Sequence, residues 1–338
     1  MAQFSGHLDV LAIGDVVTDA FIKLFEEREH TYENEHGKWL AIPFGTKLPF
    51  ADSIVLEGVG NAANAAVSFE KLGLQSGLVS NVGEDNWGLD IIKSLKDKGV
   101  DTRFVHVNRN KISNYHYVLW YKDERTILIK HEEYDYHWPR FRDNDIPKWV
   151  YFSSISKNAL DSYHDFVADW LDENPSVKLA LQPGTYQLEA GIERLQRLYK
   201  RTEVFIVNRE EAVQITGGNY DDLHDLFNRI HSHGPRIVVI TDGPDGAYAS
   251  DGDNRFKMPN YPDPGPPVER TGAGDSFAST LVAALIKGAT LEAALLWAPI
   301  NSMSVVQHVG AQNGLLRSTD IERLLQSAPE WYHPTRLN

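Results

Sequence analysis

The chain has 338 residues, enough for one large α/β domain or two smaller ones. Lys plus Arg total 33 against 47 Asp plus Glu, a net charge of -14, which argues against a general nucleic-acid or anionic-membrane surface because neither gains from a polyanion. A composition 42% hydrophobic and 24% charged is that of a soluble globular protein with a sizeable core, and zero cysteines exclude disulfides, thiolate metal sites and cysteine catalysis. No apolar run approaches membrane-spanning length and Met1-Ala2-Gln3-Phe4 opens no signal-peptide pattern, so a soluble, cytoplasmic protein is expected.

In chain order, Leu8-Asp9-Val10-Leu11-Ala12-Ile13 reads as a short buried strand ending at Gly14. Asp15 and Asp19 follow its end, where open α/β sheets place ligand groups, although two acids after a strand also suit a turn. Residues 20–57 carry no helical pattern. Segments 21–25, 38–42 and 53–56 read as short strands, separated by polar stretches and by Pro43, Gly45 and Pro49. Gly58-Val59-Gly60-Asn61-Ala62-Ala63-Asn64-Ala65-Ala66 opens a helix that runs through Phe69 and Leu72 to a stop at Gly73. Its small residues would admit either a ligand or a closely packed neighbour. A hairpin follows, with strands over 115–121 and 126–130 around the polar turn Lys122-Asp123-Glu124-Arg125. It is aromatic on both faces, so both should be covered. The histidines here, and His231 and His233, are expected to serve packing or surface roles, since no acidic or cysteine partner is suitably spaced for a metal.

From 150 onward, strands at 150–152, 179–181, 204–207 and 237–240 alternate with helical patterns such as 188–199. That alternation predicts βαβ units and a doubly wound, mostly parallel sheet flanked by helices. Asn208 and Glu211 follow the third of these strands as Asn-Arg-Glu-Glu, which by itself is most simply a helix cap. Thr241-Asp242-Gly243-Pro244-Asp245-Gly246 follows the fourth as a glycine turn. Glu269-Arg270-Thr271-Gly272-Ala273-Gly274-Asp275-Ser276-Phe277 then reads as a tight loop delivering backbone N–H groups and one carboxylate to the first turn of a helix, whose apolar spacing begins at Phe277. Such an end attracts anions, because unpaired N–H groups and the helix dipole both face the ligand. Asp275 alone could be an ordinary cap. Two glycines before it ask for bare backbone at close approach.

These segments, in this order and over nearly the whole chain, resemble the signatures of the ribokinase-like (PfkB-type) sugar and nucleoside kinases. The family runs Asp-Thr-Thr-Gly-Ala-Gly-Asp before a helix; Thr271 through Asp275 match, with Glu269 and Arg270 replacing the first Asp and Thr. Gly60 and Asn64 match its N-terminal signature, with Val59 in place of a glycine, and Gly83-Glu84-Asp85-Asn86-Trp87-Gly88 fits its Gly-x-Asp-x-x-Gly turn. The resemblance implies one ribokinase-like α/β domain over 1–338 with a small β-rich lid built from about 16–57 and 104–133. It implies Asp275 as general base beside an anion hole of Gly272, Ala273 and Gly274, and acceptor hydroxyls held by Asp19, Asp15, Gly60 and Asn64. ATP is expected near Asn208, Thr241, Gly243, Gly246 and Asn301, the last on the adenine side with 305–311. Magnesium is expected near Asn208 and Glu211, largely through water, and a monovalent cation such as potassium near Glu269 and Thr271. Gln182 stands where the family has Asp or Asn, and Thr280 where it has glycine.

The expected activity is that of an ATP-dependent sugar kinase, working as a homodimer through the lid. A nucleoside or sugar-phosphate kinase is the alternative; a phosphorylated acceptor would call on lid cations such as Lys23, Lys38, Lys47, Arg125 and Lys130. A catalytically silent sugar- or nucleotide-sensing relative is the alternative of another class, against which Asp275 speaks. No Walker loop and no Gly-x-Gly-x-x-Gly after the first strand occur, which disfavours P-loop kinases and nicotinamide dehydrogenases.

Overall fold

A computed structural model describes residues 7–27, 30–35, 37–122, 124–160 and 162–337. Asp123 of the expected hairpin turn and the opening residues 1–6 lie outside them. Ten strands form the central sheet, in the order Thr335–Arg336, Arg255–Met258, Ala247–Ser250, Ile237–Thr241, Thr202–Asn208, Lys178–Leu181, Trp149–Phe152, Val10–Ile13, Ser76–Gly83 and Val105–Asn108. The last seven are mutually parallel and the first three antiparallel. Val10–Ile13 and Trp149–Phe152 are apolar at every position because helices cover both faces of the parallel part.

The period-2 alternation of a strand decides which helix each side chain meets. Trp149 and Tyr151 pack with Phe69, Phe277, Leu281 and Leu295, from the helices Asn61–Lys71, Ala273–Ile286 and Leu291–Val306. Val150 and Phe152 face the other way, onto Tyr163, Val167, Leu195 and Phe227, from Tyr163–Glu173, Thr185–Arg201 and Leu223–Ser232. Each such fully buried aromatic or aliphatic side chain stabilises the fold by roughly 1.5–3 kcal/mol relative to exposure. The helix expected over 188–199 extends to Thr185–Arg201 and is interrupted at Gly191, where φ is 76°.

A second sheet of four strands lies over one end of the first, in the order Asp52–Val59, Val17–Lys23, Tyr115–Tyr121 and Glu124–Leu128. Phe21, Val118 and Trp120 form its small core. The hairpin turn is shorter than the polar run 122–125 suggested, since the returning strand begins at Glu124. The segment expected at 38–42 pairs instead with Thr31–Asn34 as a separate hairpin over Gly37–Leu40. Val105–Asn108 joins the edge of the central sheet, so the second lid segment starts at Tyr115 and not near 104. Val17–Lys23 follows the first central strand after three residues, which sets Asp15 and Asp19 at the junction of body and lid.

Candidate active site

The carboxyl ends of the parallel strands and the inner face of the lid enclose a cavity of about 420 Å³. Asp275 sits on its floor. The helix carrying it starts at Ala273, four residues before its apolar spacing becomes visible, because Gly272 turns the chain at φ 80°. A Cβ on Gly272 would lie 2.3 Å from Ala311 Cβ, so no other residue fits this turn. Asp275 does not cap the helix. Asn61 Nδ2 donates to its Oδ1 at 2.8 Å, Asn64 Nδ2 to its Oδ2 at 2.9 Å, and Gln182 Nε2 to Oδ1 at 3.4 Å. Burial pushes its carboxyl above the usual range, opposed by those three amides and by the charge of Arg125. A carboxylate so shifted accepts a proton more readily near neutrality.

Gly60, at φ 106°, lets the Asn61–Lys71 helix begin against the first strand; a Cβ there would stand 2.8 Å from Asp15 O. Asn61 escaped the sequence reading, although Asn61 and Asn64, three apart on one helix, share a face. Gln182, a departure from the family pattern, is placed on Asp275 and receives the hydroxyl of Tyr151 on its own oxygen.

Asn208, Glu211 and Thr241 also line the cavity. Asn208 and Glu211 form a reciprocal cap: Asn208 Oδ1 accepts from Glu211 N and Glu211 Oε2 accepts from Asn208 N, each at 2.8 Å. Both the capping role and a place on the cavity therefore belong to this pair. Burial raises the Glu211 pKa. Gly243, Gly246 and Asn301, expected beside ATP, do not line the cavity. Gly246 is required by packing, since a Cβ would meet Met258 O at 2.2 Å. Asn301 is buried between helices, donating to Thr280 Oγ1 at 2.7 Å and accepting from Leu316 N at 2.9 Å. Thr280, where the family pattern has glycine, accepts from Asn301.

At the lid end, Asp15 accepts from Tyr136 OH at 2.6 Å and from Ser156 N at 2.7 Å, and burial pushes its pKa up to about 6. Asp19 Oδ1 lies 3.3 Å from His116 Nδ1, and Asp15 Oδ2 3.7 Å from His131 Nδ1. The two imidazoles meet edge to face, 5.3 Å between centroids, and burial moves His131 down to about 4. Asp19 Oδ1, His116 Nε2 and His131 Nδ1 are buried and find no hydrogen-bond partner among the described residues. The expectation of packing or surface roles is corrected for His116 and His131, which line the cavity. Parallel pairing sets His116 opposite Asp19, a long-range register that local spacing does not carry. His231, by contrast, ties Pro235 O to Ser250 Oγ.

Glu269 is wholly buried. It accepts from Thr271 N at 2.6 Å, from the Thr271 hydroxyl and from Gly310 N at 3.4 Å. Its counter-charge is Arg125, with Nε 3.4 Å from Oε1, where a monovalent cation was expected. Of the five candidate lid cations, Arg125 alone lines the cavity. Among the described residues no three acidic or histidine side chains converge as a metal cage, and no helix is long and apolar enough to cross a membrane.

Comparison with known proteins places this geometry. The family model described as pfkB family carbohydrate kinase matches residues 47–318. An ATP-dependent 6-phosphofructokinase of Thermoanaerobacterium thermosaccharolyticum is 27% identical over 278 residues, 75% of this chain and 80% of that protein. A ribokinase of Bacillus subtilis is 26% identical over 269 residues, 79% of this chain and 87% of its own. Among solved structures, Arabidopsis thaliana ribokinase complexed with ribose and ATP superposes with a TM-score of 0.74 at 19% identity, covering 95% of this chain and 99% of that one. The ribokinase-like fold follows from that superposition.

Proposed function

The chain belongs to the pfkB family of carbohydrate kinases, and from that premise we propose that it transfers the γ-phosphate of ATP to a hydroxyl of a small, uncharged sugar. One observation carries the reading: a buried carboxylate, gripped by Asn61, Asn64 and Gln182, stands directly after a glycine turn that opens a helix onto the cavity. Asp275 takes the proton of the acceptor hydroxyl as its oxygen bonds to the γ-phosphorus. The bond from that phosphorus to the β–γ bridging oxygen breaks, and ADP leaves with the electron pair. Backbone N–H groups of Gly272 and Gly274, and that of Ala273 on leaving its long 3.4 Å bond to Arg270 O, receive the charge of the phosphoryl group in flight, so positioning and electrostatics supply most of the catalysis. The triphosphate lies toward Asn208 and Thr241.

Asn208 and Glu211 offer hard oxygen donors, the set magnesium prefers when it keeps most of its waters and shares phosphate oxygens. Magnesium there would neutralise charge between the phosphates.

The relative named a 6-phosphofructokinase raises a phosphorylated acceptor as the second reading. The charges favour the first. Among the described residues the cavity wall carries Asp15, Asp19, Glu211 and Asp275 against Arg125 and Arg270, and Arg125 already faces Glu269. The lid's outer face bears Val55, Tyr117 and Leu128 in one row across its strands, all exposed, and supports a homodimer through the lid. Light scattering that gave a monomer at micromolar concentration would remove it.

The decisive test supplies the purified chain with ATP and magnesium, and with free sugars, sugar phosphates and nucleosides in turn. ADP release and product mass are measured. Turnover confined to free sugars is expected. Turnover of sugar phosphates or nucleosides alone would replace the acceptor, and sugar binding without ADP would make the chain a silent sensor.

A further inference from the structure

The anion-hole segment departs from the family pattern at two adjacent positions, and the structure gives both a partner on the lid. Glu269 faces Arg125, and Arg270 Nε lies 3.9 Å from Glu124 Oε1. Glu124 and Arg125 are themselves adjacent, at the start of the strand Glu124–Leu128. Neighbouring charges of opposite sign on the lid thus meet neighbouring charges of opposite sign on the loop.

The two pairs differ in weight. Glu124 and Arg270 are largely exposed, where an ion pair contributes little beyond fixing register. Glu269 is fully buried, and a carboxylate without a counter-charge in that place would be strongly unfavourable. The same carboxylate holds Thr271 N, one residue before the glycine turn, and Gly310 N, one residue before the Ala311 against which Gly272 packs. The shape of the anion hole therefore depends on Glu269 remaining charged in place, and that depends on a guanidinium carried by the lid.

We propose that Arg125 is a positioning residue for phosphoryl transfer, a lid-borne counter-charge that lets Glu269 shape the 271–274 turn and makes a small monovalent cation unnecessary there. Lid placement and anion-hole geometry are then one coupled arrangement. The inference rests on the kinase reading above, since it assigns Arg125 a part in that reaction.

Arg125→Ala, Glu269→Gln and the double variant test it, with kcat, both KM values and melting temperature measured for each. Misplacing the anion hole lowers kcat of Arg125→Ala on the order of 10²-fold, with a smaller change in the KM for ATP. Glu269→Gln added to Arg125→Ala removes the stranded charge while keeping an acceptor for Thr271 N, so kcat and melting temperature both recover. Millimolar methylguanidinium restores part of the rate of Arg125→Ala and leaves the native enzyme unchanged. The native rate is the same in potassium as in a bulky cation.

An unchanged kcat in Arg125→Ala, a double variant no better than the single, or activation of the native enzyme by potassium would each overturn the proposal. Should Arg125→Ala fail to fold, the double variant decides: folded and active supports the coupling, unfolded ends it. A native enzyme that transfers no phosphate, yet shows the same recovery of melting temperature in the double variant, overturns the kinase reading and with it Arg125's part in the reaction, while the charge coupling itself stands.

Discussion

The floor and the roof of the cavity are made of different material. The floor is lined by the backbone turn 272–274 and by a carboxylate held by amides from one helix and one strand end. The roof is lined by the side chains of Asp19, His116, Arg125 and His131, the first three set on strands of the lid sheet in which Asp19 pairs with His116 far along the chain, and His131 just beyond the last of those strands. A backbone-built wall depends on the residues that permit its turn and tolerates almost no variation. A side-chain wall can be altered one residue at a time with less cost to the fold, Arg125 excepted because it faces the buried Glu269. The floor, with Arg125, should therefore set whether phosphate moves at all, and the rest of the roof what receives it.

The largest expected effect breaks the floor. Asp275→Asn keeps size and one acceptor oxygen but cannot take a proton and turns an amide donor toward Asn61 or Asn64, and general-base catalysis contributes typically 10²–10⁴-fold. The turnover number should fall within that range while ATP affinity holds and the melting temperature shows the variant still folded. Near-normal turnover in the folded variant would leave Asp275 a merely structural carboxylate. Next in size is the roof's anchor. Asp19→Ala removes an acceptor of charge-assisted hydrogen bonds, worth roughly 1.5–3 kcal/mol. Acceptor KM should rise tenfold or more, with the KM for ATP little changed; equal changes in both would move the acceptor pocket elsewhere. Gly272→Ala comes third, forcing a Cβ into Ala311 at a left-handed backbone position. A strained position of this kind costs about 1–3 kcal/mol, to be read from denaturant unfolding.

The same division governs what could be read from the chain. Gly60, Asn64, Gly272 and Asp275 were legible because a turn at positive φ, a close backbone approach and a helix start leave local marks in the sequence. The parallel sheet was legible for a similar reason, as apolar runs with glycine and proline stops. His116 and His131 were not, because the place of His116 comes from pairing Tyr115–Tyr121 with Val17–Lys23 and that of His131 from its tertiary contacts with Asp15 and His116. Asn301 stands apart from both groups. The resemblance set it beside ATP, yet its amide donates to Thr280 inside a helix pair, away from the cavity lining. Glu269 and Arg270 read as departures from a pattern, and only their lid partners give them a reason.

The smallest effect concerns the roof's titration, and its sign can be worked out. Asp15 has its pKa raised to about 6 in the folded chain, from an ordinary 3.8. The stability this shift represents is present below pH 3.8 and is lost as pH rises through 6. His131 is lowered to about 4 from 6.5, so its contribution is present above 6.5 and is lost as pH falls through 4. On acidification from 6.5 to 4 the first group stabilises and the second destabilises, and in the native chain they largely cancel. His131→Gln removes the opposing slope and leaves that of Asp15. Relative to the native protein, the variant should gain stability as pH falls across this window, by about 1–2 kcal/mol after allowing for the partial exposure of the imidazole. Taking the difference between the two proteins at each pH cancels the titration of carboxylates elsewhere, including Asp275. A difference that stays flat from pH 6.5 to 4 would mean that water reaches His131 in solution more freely than its burial in the structure implies.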